Sequence, residues 1–308
     1  MVASTCARKR RRTRQRGNAS SNSARCLSRR NPKHRGGRGM SSPFWQETRV
    51  QTWRWFIHSK RRPIVVISGL MQPIIWMTLF VLVLKDSMSE VLGGVDYLDF
   101  VTPGALLFTA FNASLNAGVP ILFDRELGFL DRIRAAPLHD RFSIVLASAI
   151  HISVMTFLQC LVIVAATSLL GVSFAGGWAG AGVGLMALLL VILGFTSLSL
   201  GLAFQFKRHF EMLAVIMIVT LPMIFLSSAF APLDRLPGFL RNLVLFNPVT
   251  MAIEPLRLVY TQSDWTMSTT LAHSMFGEIT AWHFFAGLIG FNVLAGLWSR
   301  KVLAKKLA

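Results

Sequence analysis

The chain has 308 residues, of which 53% are hydrophobic and only 15% are charged. A soluble domain carries about 25% charged residues, so this composition excludes an ordinary soluble globular protein and is typical of a membrane protein. The net charge of +18 is concentrated in one segment, because residues 1–39 contain 13 Lys or Arg and no acidic residue, whereas the remainder holds 19 basic and 14 acidic residues.

Residues 1–40 are rich in Arg, Ser, Asn and Gly and show no apolar periodicity, which predicts disorder. An acid-free basic segment is typical of an organelle transit peptide. A tail that contacts anionic lipid, or a chain whose true start is Met40, is also compatible with this composition. We expect no nucleic-acid partner, and on sequence alone a bacterial inner membrane is favoured over a plastid membrane.

Residues 41–62 mix aromatic side chains with five Lys or Arg, which predicts an amphipathic helix lying in the membrane interface. A spanning helix needs about 20 mostly apolar residues. Six stretches meet this requirement: 63–84, 98–122, 142–170, 178–206, 212–230 and 281–298. The fourth carries Gly180 and Gly184, a spacing that allows close helix packing. We therefore predict an all-α membrane protein with six transmembrane helices in residues 63–308.

Lys and Arg near the span ends set the orientation. Six spans place 15 of these residues on one side and 4 on the other. This asymmetry predicts that both termini are cytoplasmic. It places a charged loop at 123–141 on the cytoplasmic side and a proline-rich segment at 231–260 outside.

The charged loop reads as a short amphipathic helix that begins near Phe123 and ends at Pro137. Asp131 and Arg134 lie three residues apart and can pair. A solvated loop that only satisfies the positive-inside rule is one interpretation. A docking element for a soluble partner, with Leu127, Phe129 or Leu130 as apolar anchors, is the other.

The outer segment is cut by Pro232, Pro237, Pro248 and Pro255, which predicts pieces of one to three turns. It is too broken and too charged to span. It could still enter the outer leaflet where it faces protein or water. An ordinary loop with aromatic anchors is the alternative.

These stretches resemble the type-2 ATP-binding-cassette exporter permeases. "DRELGFLDRIRAAPLHDRFSIVLAS" is similar to the family's cytoplasmic coupling helix, which sits in a cleft of the ATPase subunit, although the family usually has Thr or Ser where this chain has Ala136. The resemblance implies ATPase-coupling roles for Asp124, Arg125, Glu126, Gly128, Leu130, Asp131, Arg132 and Pro137.

Two other stretches carry the same resemblance. "FVTPGALLF" matches the family's start of span two, and "FLSSAFAPLDRLPGFLRNLVLFNPVTMAIEPLR" is similar to its segment between spans five and six. The resemblance implies a pair of short helices on the outer face of the export path. The residues it assigns to this extracytoplasmic gate are Pro232, Pro237, Arg241, Asn247, Pro248 and Arg257.

The sequence contains no GxxxxGK[ST] motif, so this chain has no P-loop of its own. It also lacks HExxH and GxSxG motifs and metal-ligand cysteine spacing. We predict a transport subunit rather than an enzyme, without a cofactor, whose ATP is bound by a separate ABC ATPase subunit. A homodimer in the lipid bilayer is expected.

Two other classes of protein remain open from the residues. One is a self-contained channel or secondary carrier, which the lack of Asp, Glu, Lys and Arg near the span centres disfavours. The other is a membrane-embedded assembly factor that recruits a soluble protein. His151 and His283, inside or at the edge of spans, are weak candidates for a functional role.

Overall fold

The computed structural model describes residues 43–61, 63–89, 96–128, 142–229, 232–274 and 277–307. These residues form ten α-helices, one 3-10 helix and two β-strands. The α-helices are α1 (Pro43–Arg61), α2 (Pro63–Ser89), α3 (Tyr97–Leu115), α4 (Val119–Glu126), α5 (Phe142–Leu169), α6 (Gly177–Gln205), α7 (His209–Phe225), α8 (Gly238–Leu245), α9 (Pro248–Thr261) and α10 (Ala281–Leu307). The 3-10 helix is Leu233–Arg235, and the strands are β1 (Thr270–Ser274) and β2 (Gly277–Thr280).

The predicted membrane helices are confirmed in type, and four of them in position. Predicted spans one, three, four and six correspond to α2, α5, α6 and α10, although α10 continues past 298 to Leu307. Span two is the pair α3 and α4, which together make one apolar stretch from Tyr97 to Glu126. The stretch predicted as an interface helix is helical, as α1, with positions 41, 42 and 62 outside the described residues. Its location in a membrane interface stays a prediction. The 1–40 segment also lies outside them.

The number of candidate spans is five or six, but the sixth candidate is not the one predicted. Among the described residues, five helical stretches are long and apolar enough to cross a membrane, and the bent pair α8–α9 raises the number to six. Predicted span five is the helix α7, which has only 17 residues. At 1.5 Å per residue it measures about 26 Å, shorter than the roughly 30 Å hydrocarbon core. The prediction that this span runs to Phe230 is wrong, because the helix ends at Phe225.

Helix α6 lies at the centre of the bundle and packs against α3, α9 and α10. Glycines allow these close approaches. A Cβ on Gly184 would lie 2.7 Å from Leu256 Cδ1 of α9, and one on Gly180 would lie 3.1 Å from Val259 Cβ. The small-residue pair noted in the sequence therefore packs against α9, which enters the bundle beside α6.

The break between α3 and α4 is held against α6. Gly118 N donates to Ser199 Oγ at 2.9 Å, and the same hydroxyl donates to the Leu115 carbonyl. A Cβ on Gly118 would collide with the Ser199 carbonyl oxygen, so only glycine allows this contact. These two hydrogen bonds fix the break between α3 and α4. The charged C-terminal end of α4 therefore lies near the end of α6 and the start of α7.

A β-hairpin not expected from the sequence precedes α10. Strands β1 and β2 pair antiparallel, from Thr270 opposite Thr280 to Ser274 opposite Gly277. The all-α prediction is therefore correct for the bundle and incomplete for this hairpin. The hairpin marks one end of the bundle, here called the hairpin end. The opposite end, where α1 contacts α4, is called the coupling end.

Candidate coupling site and outer helix pair

Three consecutive charged residues at the end of α4 bind three different helices. Asp124 Oδ2 lies 3.2 Å from Arg54 Nη2 of α1. Arg125 binds the end of α6, and Glu126 binds the start of α7. These side chains were predicted to couple to an ATPase. They contact elements of their own chain, so the start of the charged loop is joined to α1, α6 and α7 at once. We call these three residues the charged joint.

Arg125 caps the C-terminus of α6. Its Nη1 donates to the carbonyls of Ala203 at 3.1 Å and Phe204 at 3.3 Å, and its Nη2 donates to the Phe206 carbonyl. The last carbonyls of a helix have no partner within the helix and carry partial negative charge. A guanidinium satisfies several of them simultaneously because its donors form a planar fork.

Glu126 caps the N-terminus of α7 in the complementary way. Its Oε1 accepts from the backbone N of His209 at 2.6 Å, and its Oε2 contacts Nδ1 of the same residue. A carboxylate at this position complements the positive end of the helix dipole. The rings of Phe123 and His209 also stack, with centroids 4.2 Å apart. Adjacent residues of opposite charge therefore hold the facing ends of α6 and α7.

The helix through the charged segment is shorter than predicted. The sequence predicted one helix from Phe123 to Pro137, but α4 ends at Glu126 and Gly128 has φ +67°. A left-handed glycine directly after a helix ends it, because other residues rarely adopt that conformation. Leu127, next to this turn, is 80% exposed. Leu130, Asp131, Arg132 and Pro137 lie outside the described residues.

At the hairpin end, α8 and α9 form a pair bent by 91°. Asn247 lies at the bend and forms hydrogen bonds with two helices. Its Oδ1 accepts from Val249 N as the N-cap of α9, while its Nδ2 donates to the carbonyls of Met223 at 2.6 Å and Leu226 at 2.7 Å. These carbonyls lie at the end of α7. The asparagine thus explains why α7 stops before the predicted end of span five.

Arg257 of α9 is buried and paired. Its Nη1 lies 2.7 Å from Glu254 Oε1, its Nη2 donates to the Ser228 carbonyl at 2.6 Å, and its guanidinium lies 3.8 Å from the centre of the Phe100 ring. The side chains of Arg257 and Glu254 are only 10% and 9% exposed. The pair joins α9 to the start of α3 and to the turn after α7.

The other residues assigned to the outer segment lie on its surface or at helix starts. Pro232 and Pro237 precede the 3-10 helix and α8, Pro248 begins α9, and Arg241 is half-buried on α8. The prediction that Pro255 ends a piece is wrong, because it lies inside the 14-residue α9. Packing of α9 against α3, α6 and α10 compensates for the missing hydrogen bond.

Sequence reasoning did not assign a role to Glu254. Its i,i+3 spacing to Arg257 in "EPLR" was the available signal. The two candidate histidines make local contacts. His151 Nε2 lies 2.9 Å from Ser59 Oγ of α1, and His283 Nδ1 lies 2.9 Å from Thr280 Oγ1 at the start of α10. Within the part of the chain that the structure describes, no three His, Cys, Asp or Glu residues could hold a metal ion.

Comparison with known proteins shows which family the chain belongs to. Residues 46–261 match the family described as ABC-2 type transporter, and the chain belongs to this family of membrane transport permeases. It is 40% identical over 261 residues to a transport permease (ycf38) of Cyanophora paradoxa, covering 84% of this chain and 90% of that protein. The corresponding permease of Porphyra purpurea is 34% identical, with 85% and 90% covered.

A more distant relative carries a drug-resistance name. The daunorubicin resistance ABC transporter permease protein DrrB1 of Streptomyces coeruleorubidus is 25% identical over 208 residues, with 67% of this chain and 71% of that protein covered. The family match and the apolar helices identify the chain as an integral membrane transport subunit.

Proposed function

We propose that this chain is the permease subunit of an ATP-driven exporter and that a separate ABC ATPase docks on residues 123–141. The observation that carries the proposal is the charged joint. A force applied to the loop after Glu126 reaches α1 through Arg54, α6 through Arg125 and α7 through His209. Leu127, exposed beside the joint, is an apolar anchor suited to a soluble partner.

Each member of the joint has a role in this mechanism. Arg125 and Glu126 fix the distance between the end of α6 and the start of α7. Asp124 transmits the movement to the interface helix α1. The energy source lies outside the chain, because the sequence has no P-loop. A self-contained channel or secondary carrier is the alternative, and it requires no ATPase at this site.

The proposal predicts that Leu127→Asp abolishes ATPase binding. A carboxylate at an apolar anchor must be desolvated on docking, which costs several kcal/mol and lowers affinity at least about 100-fold. The measurement is copurification of a P-loop ATPase, identified by mass spectrometry and by ATP hydrolysis, from gently solubilised membranes.

The matched control is Leu169→Asp. Leu169 is 90% exposed and lies at the opposite end of the bundle, where α5 ends. We expect this variant to retain the ATPase. Equal retention by both variants contradicts docking at Leu127, and the absence of any ATPase with the wild-type chain favours the self-contained carrier.

Two copies of the chain are proposed to form the transport route between them, with both termini cytoplasmic. Helix α7 supports this because five of its large apolar side chains are more than half exposed, and it packs only lightly on its neighbours. The end of α10 packs near α1, since Leu303 and Trp55 belong to one buried cluster. The C-terminal end of α10 therefore lies near α1, which supports the proposal that both termini are on one side. That arrangement agrees with the charge asymmetry.

We also propose that the protein works in a plastid membrane, with the bacterial inner membrane as the alternative. The relatives in the algae Cyanophora paradoxa and Porphyra purpurea are more similar to it than the Streptomyces permease. A fluorescent protein fused after residue 40 tests this. We expect delivery to plastids in algal cells, and a matched fusion that begins at Ser41 should lose it. Cytosolic fluorescence from the first fusion contradicts the targeting role.

A further inference from the structure

Helix α1 has one covered side and one exposed side. Its covered side packs against α5, and Thr48 and Trp55 on that side are 2% and 7% exposed. The exposed residues recur at intervals of three or four, so they share one face of the helix. We call this the outer face of α1, and its residues are Trp45, Arg49, Trp53, Ile57, Lys60 and Arg61.

The outer face combines exposed aromatic rings with positive charge. Arg49, Lys60 and Arg61 are exposed, and none of them forms an ion pair with another residue that the structure describes. The only acidic residue of α1, Glu47, is half-buried. Trp53 lies among these cations and is 68% exposed. A partner of this surface must therefore accept indole rings and supply negative charge.

Helix α10 indicates the depth at which α1 lies. Trp55 of α1 and Leu303 of α10 belong to one buried cluster. Helix α10 changes from apolar to basic at Arg300 and Lys301, within one turn of Leu303. In a spanning helix this change marks the boundary between hydrocarbon and headgroups. Helix α1 therefore lies at headgroup level, with its outer face directed away from the helices that cover its other side.

We propose that the outer face of α1 binds anionic lipid headgroups in the leaflet at the coupling end. Indole rings favour the headgroup layer, and Arg and Lys donate charge-assisted hydrogen bonds to phosphate oxygens. Each Lys or Arg near an anionic membrane surface strengthens the attraction about fivefold. Lipid bound here also holds the charged joint at the membrane surface, because Arg54 of the same helix binds Asp124. The inference goes beyond the proposed function and does not depend on an ATPase.

Fluorescence quenching by brominated lipids tests the choice of headgroup. The full chain is reconstituted into equimolar vesicles of phosphatidylglycerol and phosphatidylcholine, in which only one of the two lipids carries bromine. Bromine quenches a nearby indole ring, and the difference between wild type and Trp53→Phe isolates the signal of Trp53. We expect brominated phosphatidylglycerol to quench Trp53 at least about twofold more than brominated phosphatidylcholine.

Trp282 at the start of α10 is the matched control. It is 62% exposed and precedes Arg300 by about 27 Å of helix, which places it near the opposite boundary of the hydrocarbon core. The same subtraction with Trp282→Phe should show equal quenching by the two lipids. A preference of the same size at Trp282 means that anionic lipid surrounds the whole chain, and this overturns the assignment to α1.

Removing the charges tests their role directly. The triple variant Arg49→Gln/Lys60→Gln/Arg61→Gln should lose most of the preference at Trp53, although the 13 basic residues of the 1–39 segment remain in the chain. Raising the salt concentration should weaken the preference of the wild-type chain, because exposed charges are screened. This second measurement does not depend on the folding of a variant. A preference that resists either change overturns the proposal.

Two other outcomes also overturn it. Equal quenching of Trp53 by both lipids shows that the outer face contacts lipid without selecting the anionic headgroup. The absence of quenching by either lipid shows that a protein surface, from a second copy or an acidic partner, covers this face instead.

Discussion

Replacing Arg257 with Met should destabilise the protein by about 3–5 kcal/mol, because the substitution leaves the Glu254 carboxylate buried without its partner. It also removes the donors to the Ser228 and Phe100 carbonyls and the contact with the Phe100 ring. An apparent Tm lower by about 10 °C in detergent, measured by size-exclusion chromatography after heating, is the expected result.

The double variant Glu254→Gln/Arg257→Met separates the ion pair from the other contacts. Neutralising the carboxylate removes the unpaired charge, so the double variant should recover much of the lost stability. Glu254→Gln alone should be less damaging than Arg257→Met, since the guanidinium keeps its carbonyl partners. A single Arg257→Met variant that melts like wild type contradicts a stabilising role for this pair.

Replacing Arg125 with Ala should uncouple the ATPase from the spans without preventing its binding. The substitution removes three hydrogen bonds to the end of α6, each worth about 1.5–3 kcal/mol for a charged donor, and leaves Leu127 in place. A loss of 1.4 kcal/mol in coupling free energy already corresponds to about a tenfold change in the equilibrium constant. We expect ATP hydrolysis to continue without the accompanying helix movement.

Spin labels on Leu189→Cys of α6 and Met217→Cys of α7 measure this movement. In complexes that contain the ATPase, trapping with ATP and vanadate should change the label distance, and Arg125→Ala should lose this change. Arg125→Lys should retain part of it, because an ammonium keeps the charge but lacks the planar fork. A full distance change in Arg125→Ala shows that the joint does not transmit movement between α6 and α7.

The sequence by itself determined the class of the protein and most of its helices. Length, hydropathy and the 20-residue requirement are local properties, so α2, α5, α6 and α10 follow from composition alone. The charged segment was also found in the sequence, since Asp124, Arg125 and Glu126 interrupt an apolar stretch. The residues that these three side chains bind could not be found in the sequence. Arg54, the end of α6 and His209 lie 70 to 83 residues away along the chain.

One prediction missed a local signal, and two others failed because distant groups changed the outcome. The helix through Phe123 was predicted to continue, but Gly128 adopts φ +67° and ends it. The predicted span 212–230 ends early because the Asn247 amide binds carbonyls at the end of α7. The proline at 255 does not break α9, because three neighbouring helices hold that helix in place.

Only the tertiary structure decided which polar groups are buried, paired or exposed. Glu254 and Arg257 are neighbours on any helix, but packing between α3 and α9 removes them from solvent. Gln72 and Asn112 are polar residues in apolar stretches. The packing of α2 on α3 brings Asn112 Nδ2 to 2.9 Å from Gln72 Oε1. The physical reason is the same in each case. Hydropathy depends on the residue itself, whereas desolvation and hydrogen bonding depend on groups that the fold brings together from distant parts of the chain.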